Sequence, residues 1–150
     1  ILRQRQNAGR IRAAGAELES DVRLTRHVGI GASLALIDSV FTEGADLVGL
    51  RVPQVPRVHA STGVRATSGA LAASVEWRYI SRQFDDDRNQ FALEPSSMVD
   101  GRLGWRVRRG IELFAAVENV FDEEQDVGRT PLRTIGLPRT FRSGVRLGLR

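Results

Sequence analysis

The stretch that decides the fold lies at the end of the chain and reads FRSGVRLGLR, from Phe141 to Arg150. Its apolar side chains share one parity: Phe141, Val145, Leu147 and Leu149. The positions of the other parity hold only arginine and glycine. Because a β-strand sends successive side chains to opposite faces, this stretch predicts a strand with one apolar face and one cationic face.

The same alternation recurs in six earlier segments, which lie near residues 10–24, 29–36, 58–67, 71–80, 99–108 and 111–118. It is clearest in residues 71–80, where Leu71, Val75 and Trp77 alternate with small and charged residues. No segment has the period of a helix, and no low-complexity linker divides the chain. The sequence therefore predicts an all-β protein of seven antiparallel strands, joined by hairpins in chain order.

The connections between these strands alternate strictly between short and long. Short turns are predicted at Thr25–Val28, Thr67–Ala70 and Arg108–Gly110, and long loops at Asp38–Pro56, Phe84–Ser97 and Asp122–Pro138. Bacterial outer-membrane β-barrels have this layout, with short periplasmic turns and long extracellular loops. A soluble β-sandwich also alternates apolar and polar residues, so the pattern alone leaves that alternative open.

Composition excludes several classes of function. The chain has no cysteine, which excludes disulfides, zinc–thiolate sites and a cysteine nucleophile, and its two histidines lie far apart. All 22 basic residues are arginine, and the net charge is +4. A nucleic-acid site would cluster these arginines with aromatic residues, whereas here they alternate along many strands. No catalytic constellation is present, so neither an enzyme nor a resident cofactor is expected.

Two motifs near the end of the chain are specific. The first runs from Glu118 to Asp122 and includes Asn119 and Phe121; the second runs from Gly136 through Pro138 and Arg139 to Phe141. Together with the element Gly9–Glu19, they resemble the C-terminal end of TonB-dependent outer-membrane receptors. Strands of that family commonly end on an aromatic residue, whereas this sequence ends with Gly148-Leu149-Arg150.

The resemblance implies a receptor in the cell outer membrane that transports a scarce nutrient, with an iron–siderophore complex as the first candidate. It implies that residues 1–150 are the C-terminal portion of the barrel, about a third of a wall of about 22 strands. The plug domain, the earlier strands and the N-terminal part that contacts the TonB complex are then absent from this sequence, which starts at Ile1 without an initiator methionine. A passive porin-like barrel and a soluble β-sheet binding module are the alternatives.

The parity of each strand also predicts the two surfaces of the wall. The side chains expected to face lipid are Leu71, Val75, Trp77, Leu103, Trp105, Leu113, Val117, Val145 and Leu147. Aromatic residues near the strand ends are expected to form the girdles typical of outer-membrane barrels.

The side chains expected to face the lumen include seven arginines: Arg65, Arg78, Arg82, Arg102, Arg106, Arg142 and Arg146. Converging cations in a low-dielectric cavity would attract an anionic ligand such as an iron chelate. Alternatively, these arginines pair with Glu76, Glu112 and Glu118 across the wall, or with acidic groups of the plug. Three wall carboxylates cannot neutralise seven arginines.

Single side chains in the long loops give further expectations. Asp85-Asp86-Asp87 is an acidic loop tip, for which solvated side chains are expected ahead of a bound cation. Asn119 and Asp122 are expected to shape the strand end and the loop entry through side-chain-to-backbone hydrogen bonds.

Overall fold

The computed structural model describes residues 9–44 and 46–148, and every regular element in them is a strand. The strands are β1 (Ile11–Arg23), β2 (Val28–Phe41), β3 (Val58–Ser68), β4 (Leu71–Ile80), β5 (Gln83–Phe84), β6 (Ala92–Leu93), β7 (Ser96–Arg108), β8 (Ile111–Glu118), β9 (Asp126–Gly128), β10 (Thr134–Ile135) and β11 (Thr140–Leu147). None of the described residues belongs to a helix long and apolar enough to cross a membrane.

The seven longest strands form one sheet in the order β1-β2-β3-β4-β7-β8-β11, and every neighbouring pair is antiparallel. This confirms the predicted fold class, the strand count and the hairpin connections. The register is continuous along the sheet except between β7 and β8, where it shifts between Arg106 and Arg108. That bulge lies beside the turn at Arg109-Gly110.

Two strands extend further into the long loops than the sequence pattern predicts. β2 continues beyond Asp38 to Phe41, and β7 begins at Ser96 instead of Val99. The extension of β2 is stabilised by the loop that follows it. Phe41 N donates to Leu50 O, and Gly49 N donates to Phe41 O, both at 2.9 Å. Backbone pairing of this kind adds strand residues without requiring an alternating sequence.

The short turn between β7 and β8 requires a glycine. Gly110 has a φ of 79°, and a Cβ at this position would lie 2.9 Å from Gly148 O. Gly148 N also donates to Gly110 O at 2.9 Å, which joins the turn to the end of β11. A side chain at residue 110 would therefore meet both the left-handed backbone and a neighbouring carbonyl.

The register places all nine predicted lipid-facing residues on one face of the sheet. For example, Leu71 is opposite Trp105, and Trp105 is opposite Leu113, which is opposite Val145. This outer face is apolar and uncovered, with exposures of 54% for Val75 and 66% for Leu147. Trp77 and Tyr79 stack near its long-loop end, with ring centroids 6.2 Å apart.

The packed region of the described residues lies at the long-loop end of the sheet. The buried apolar side chains are Phe41 at 4% exposure and Leu93 at 1%, and Asn119 is a buried polar residue there at 3%. The loops also contain two small sheets, β5–β6 and β9–β10, which the sequence pattern does not predict. Strands of two or three residues are too short to show a period.

Candidate functional site

Four arginines lie in one row across the inner face of the sheet: Arg23, Arg65, Arg102 and Arg142. Gly29, Ser74 and Ala116 are the register partners between them. The intervening side chains are small, so the guanidinium groups have room beside one another. The row is a direct product of the strand register, because the four arginines belong to β1, β3, β7 and β11.

The next row towards the long loops is acidic. Asp21, Glu76, Asp100 and Glu118 are its charged members, with Gly31 and Gly63 between the first two. Ion pairs join the two rows. Arg65 pairs with Asp21, and Arg142 pairs with Glu118 at 2.6 Å. Opposite charges in adjacent rows therefore neutralise much of the inner face.

Five of the seven arginines expected in the lumen have a carboxylate partner among the described residues. Besides the two pairs between the rows, these are Arg78 with Asp100, Arg82 with Glu94 at 2.7 Å, and Arg146 with Glu112 at 2.9 Å. Of the predicted wall partners, Glu112 and Glu118 do pair with arginines. The sequence did not indicate three further partners, which are Asp21 of β1, Asp100 of β7 and Glu94 in the loop between β6 and β7. Glu76 itself forms no ion pair with a described residue.

Arg102 and Arg106 differ from the other five. Arg102 lies over the ring of Phe114, with its guanidinium carbon 5.4 Å from the centroid. Arg106 is the register partner of Glu112, but the Glu112 carboxylate binds Arg146. Both arginines are exposed, and neither forms an ion pair within residues 9–44 and 46–148. Their charge is therefore available to another molecule.

The motif from Glu118 to Asp122 builds the junction where β8 ends. Asn119 adopts a φ of 53°, and its side chain accepts from Glu123 N at 2.8 Å and donates to Glu123 O at 2.9 Å and Leu137 O at 3.3 Å. Its backbone N donates to Asp100 at 2.9 Å. One buried side chain thus joins β8, the start of the loop and the segment that leads into β11.

The second motif is tied to the first through Asp122. Asp122 accepts from Arg139 N at 2.7 Å, and the Arg139 guanidinium donates to Val120 O at 3.4 Å. The side-chain-to-backbone bonds predicted for Asn119 and Asp122 are therefore present. Gly136 N donates to Gln125 O at 2.8 Å, and Thr140 donates to Pro138 O at 2.9 Å. The aromatic members, Phe121 and Phe141, remain 72% and 75% exposed.

Asp85 joins the three long loops, which are defined as the first (residues 42–57), second (81–95) and third (119–139). Its Oδ1 accepts from Gln54 Nε2 of the first loop at 2.9 Å. Its Oδ2 accepts three hydrogen bonds from the third loop: Arg129 N at 2.8 Å, Thr130 N at 2.7 Å and the Thr130 hydroxyl at 2.6 Å. The expectation of a solvated side chain is wrong for Asp85, because distant loop residues satisfy its carboxylate.

The other members of the acidic tip have local roles or none. Asp86 accepts from Phe91 N at 2.8 Å and Arg88 N at 3.2 Å, which closes the turn of its own loop. Asp87 is exposed. Among the described residues, no three acidic, histidine or cysteine side chains are grouped as metal ligands would be. Gln54 and Thr130, the partners of Asp85, lie in no recognisable motif, so the sequence did not indicate them.

Burial and hydrogen bonding act in opposite directions on the Asp85 carboxyl. Burial alone would raise its pKa, but the bonds from the Thr130 hydroxyl, Arg129 N, Gln54 and Thr130 N outweigh this and lower the pKa to about 2. The ionised form is therefore the stable one over the whole physiological range.

Comparison with known proteins agrees with this geometry. The family model described as "TonB dependent receptor-like, beta-barrel" matches residues 3–120. The chain belongs to this family. The pesticin receptor of Yersinia enterocolitica is 31% identical over 121 residues, a match that covers 77% of this chain and 18% of that receptor. The ferrichrome outer membrane transporter/phage receptor of Escherichia coli is 27% identical over 125 residues, a match that covers 77% of this chain and 17% of that transporter.

A solved structure extends the likeness beyond the part that the family model covers. The ferric yersiniabactin uptake receptor FyuA from Yersinia pestis superimposes with a TM-score of 0.88 at 25% identity, over 94% of this chain and 24% of that chain. The chain thus spans about a quarter or less of the length of these relatives. The match to the family model ends at residue 120 of this chain, so the motif Gly136–Phe141 lies outside it.

Family membership assigns the two faces and the two ends of the sheet. The strands are part of a transmembrane β-barrel in the outer membrane of a Gram-negative bacterium. In outer-membrane barrels the apolar face of the wall meets lipid and the polar face lines the lumen, while the short turns are periplasmic and the long loops extracellular. Proteins of this family are receptors and transporters.

A charge in the middle of the lipid face should destabilise the barrel. In the full-length protein, Val75→Arg is expected to lower the free energy of unfolding by about 2–4 kcal/mol, because the guanidinium must enter the hydrocarbon. Val75→Met, an uncharged side chain of similar length, should change it by no more than about 0.5 kcal/mol. Reversible unfolding in lipid bilayers measures both values. Equal stability of the two variants would show that the faces are assigned wrongly.

Acid should release the third loop only far below neutral pH. Because the pKa of Asp85 is lowered from 3.8 to about 2, its carboxylate stabilises the loops fully above pH 3.8 and loses this effect as the pH falls through about 2. A spin label at the exposed residue Leu132 should have constant, restricted mobility from pH 7 to about 4, and its mobility should increase below that range. In the Asp85→Asn variant, the same label should be mobile over the whole pH range. A transition near pH 6 in the wild type would contradict the assignment.

Proposed function

We propose that this chain is the C-terminal portion of the barrel of an outer-membrane active transporter for a scarce nutrient. The nutrient class that we propose is an iron–siderophore complex, and the energy comes from the TonB complex through an N-terminal part of the protein. A plug domain fills the lumen of the complete barrel. The family match over residues 3–120 is the observation that carries this proposal.

The proposed ligand class has two kinds of support. FyuA is named as the receptor for ferric yersiniabactin uptake, and the Escherichia coli relative as a ferrichrome transporter. The inner face of this chain is also more basic on one side. β7 and β11 carry Arg102, Arg106, Arg142 and Arg146, whereas the inner face of β1 carries three acids and one arginine. An anionic chelate would be attracted to the β7–β11 side.

Within the set of seven arginines, we assign the capture of the anion chiefly to Arg102 and Arg106. The charges of Arg65, Arg78, Arg82, Arg142 and Arg146 are compensated by neighbouring carboxylates. A compensated guanidinium contributes little to a long-range field, whereas an uncompensated one beside a low-dielectric wall contributes strongly. The five paired arginines then act mainly as structural parts of the wall.

Charge-removing substitutions test this assignment. In the full-length receptor, replacing both Arg102 and Arg106 with Gln should weaken the binding of anionic ferric chelates, such as ferric citrate, by roughly tenfold or more. The matched control is Arg65→Gln with Asp21→Asn, which removes a paired charge and leaves the net charge unchanged. Its binding should stay near the wild-type value. Equal losses in both double variants would assign all these arginines to wall or plug structure.

Uptake separates the transporter from a passive porin. Cells that express the full-length receptor should accumulate radioactive iron supplied as the bound chelate, and deletion of TonB should abolish this accumulation. Accumulation that persists without TonB would favour the porin. If the intact receptor takes up no iron chelate, the proposed ligand class is wrong.

A further inference from the structure

The three long loops are not joined to one another equally. The first and second loops share several direct bonds that do not involve Asp85. Asn89 of the second loop accepts from Arg51 N at 2.8 Å and donates to Arg51 O at 2.9 Å. Gln54 N also donates to Phe84 O at 2.7 Å. These two loops therefore remain connected even if Asp85 is removed.

The third loop is held to the second mainly by one oxygen atom. Asp85 Oδ2 accepts the three bonds from Arg129 and Thr130, which follow directly after β9. The other hydrogen bond between these two loops runs from the Arg129 guanidinium to Ala92 O at 3.1 Å in the described residues. The Asp85 carboxylate accepts three of these four hydrogen bonds, and all three are charge-assisted, so it dominates this connection.

The β9–β10 hairpin has its own internal support. Thr134 pairs with Gly128, and Ile135 pairs with Asp126. Arg133 binds Asp126 at 2.6 Å and also pairs with Glu124. At its base, the bond from Gly136 N to Gln125 O continues the hairpin pairing, and the Asn119 junction joins the hairpin to the end of β8. The hairpin can therefore keep its shape when its contact with the second loop is broken.

We infer that the extracellular cover consists of two bodies, in which the β9–β10 hairpin is a flap latched by Asp85 onto the joined first and second loops. Asp85 is a positioning residue, since it sets where the hairpin lies. Opening the latch moves the hairpin alone and leaves the pair of loops in place. This inference requires the long loops to be extracellular but does not depend on the nutrient being an iron chelate.

Distances between spin labels test the two-body arrangement in the full-length receptor. The chain has no cysteine, so labels can be placed at Val48, Phe91 and Leu132, which are 61%, 42% and 77% exposed in the first, second and third loops. Asp85→Asn should broaden the distance distributions from Leu132 to Val48 and to Phe91. The distribution between Val48 and Phe91 should stay narrow.

Asp87→Asn is the matched control, because it removes a neighbouring charge that is exposed to solvent, and it should leave all three distributions unchanged. If Asp85→Asn prevents assembly, Thr130→Val removes only the 2.6 Å hydroxyl bond and should broaden the Leu132 distances more weakly. Broadening of all three distances would contradict the two-body arrangement. Unchanged distances in both Asp85→Asn and Thr130→Val would show that Asp85 is not the latch.

Discussion

The hydrogen-bonded register between antiparallel strands is the constraint on which the other features of this structure depend. In hydrocarbon, an unsatisfied backbone N–H or C=O group costs several kcal/mol, so a membrane-spanning strand must be paired along its length. The five inner strands are paired on both sides through a nearly unbroken register, and β1 and β11, the edge strands of the described sheet, are paired on one side. Once the register is set, each side chain has a fixed face and a fixed level. The apolar outer face and the charged lumen face are both consequences of that geometry.

The register also decides which charges meet inside the lumen. Arg65 and Arg142 are 77 positions apart in sequence, yet they lie in one row, and each reaches an acid of the next row. These pairs are exposed on the lumen side, where a single ion pair contributes little to stability. Their effect is on the field instead. Among the seven arginines expected in the lumen, pairing compensates five and leaves Arg102 and Arg106 without a carboxylate partner in the described residues.

Much of the fold could be predicted because period-two alternation is a local property of each strand. Leu71, Val75 and Trp77 indicate their common face without knowledge of any neighbour. Ion-pair partners could not be predicted in the same way, since the pairing of Arg78 with Asp100 depends on the register between two strands separated by a long loop. The hydrogen bonds of the Asp85 carboxylate could not be predicted from the sequence either. Its partners, Gln54 and Thr130, come from two other loops, and no spacing rule connects them.

The division of the wall into a lipid face and a lumen face is tested most directly by scanning β4 in the outer membrane. Single cysteines from Leu71 to Ile80 in the full-length protein can carry a nitroxide, whose collisions with oxygen and with a water-soluble relaxing agent are then measured. Residues 71, 73, 75, 77 and 79 should collide preferentially with oxygen, and residues 72, 74, 76 and 78 preferentially with the water-soluble agent. Uniform accessibility along β4, or alternation in the opposite phase, would contradict the assignment of the faces.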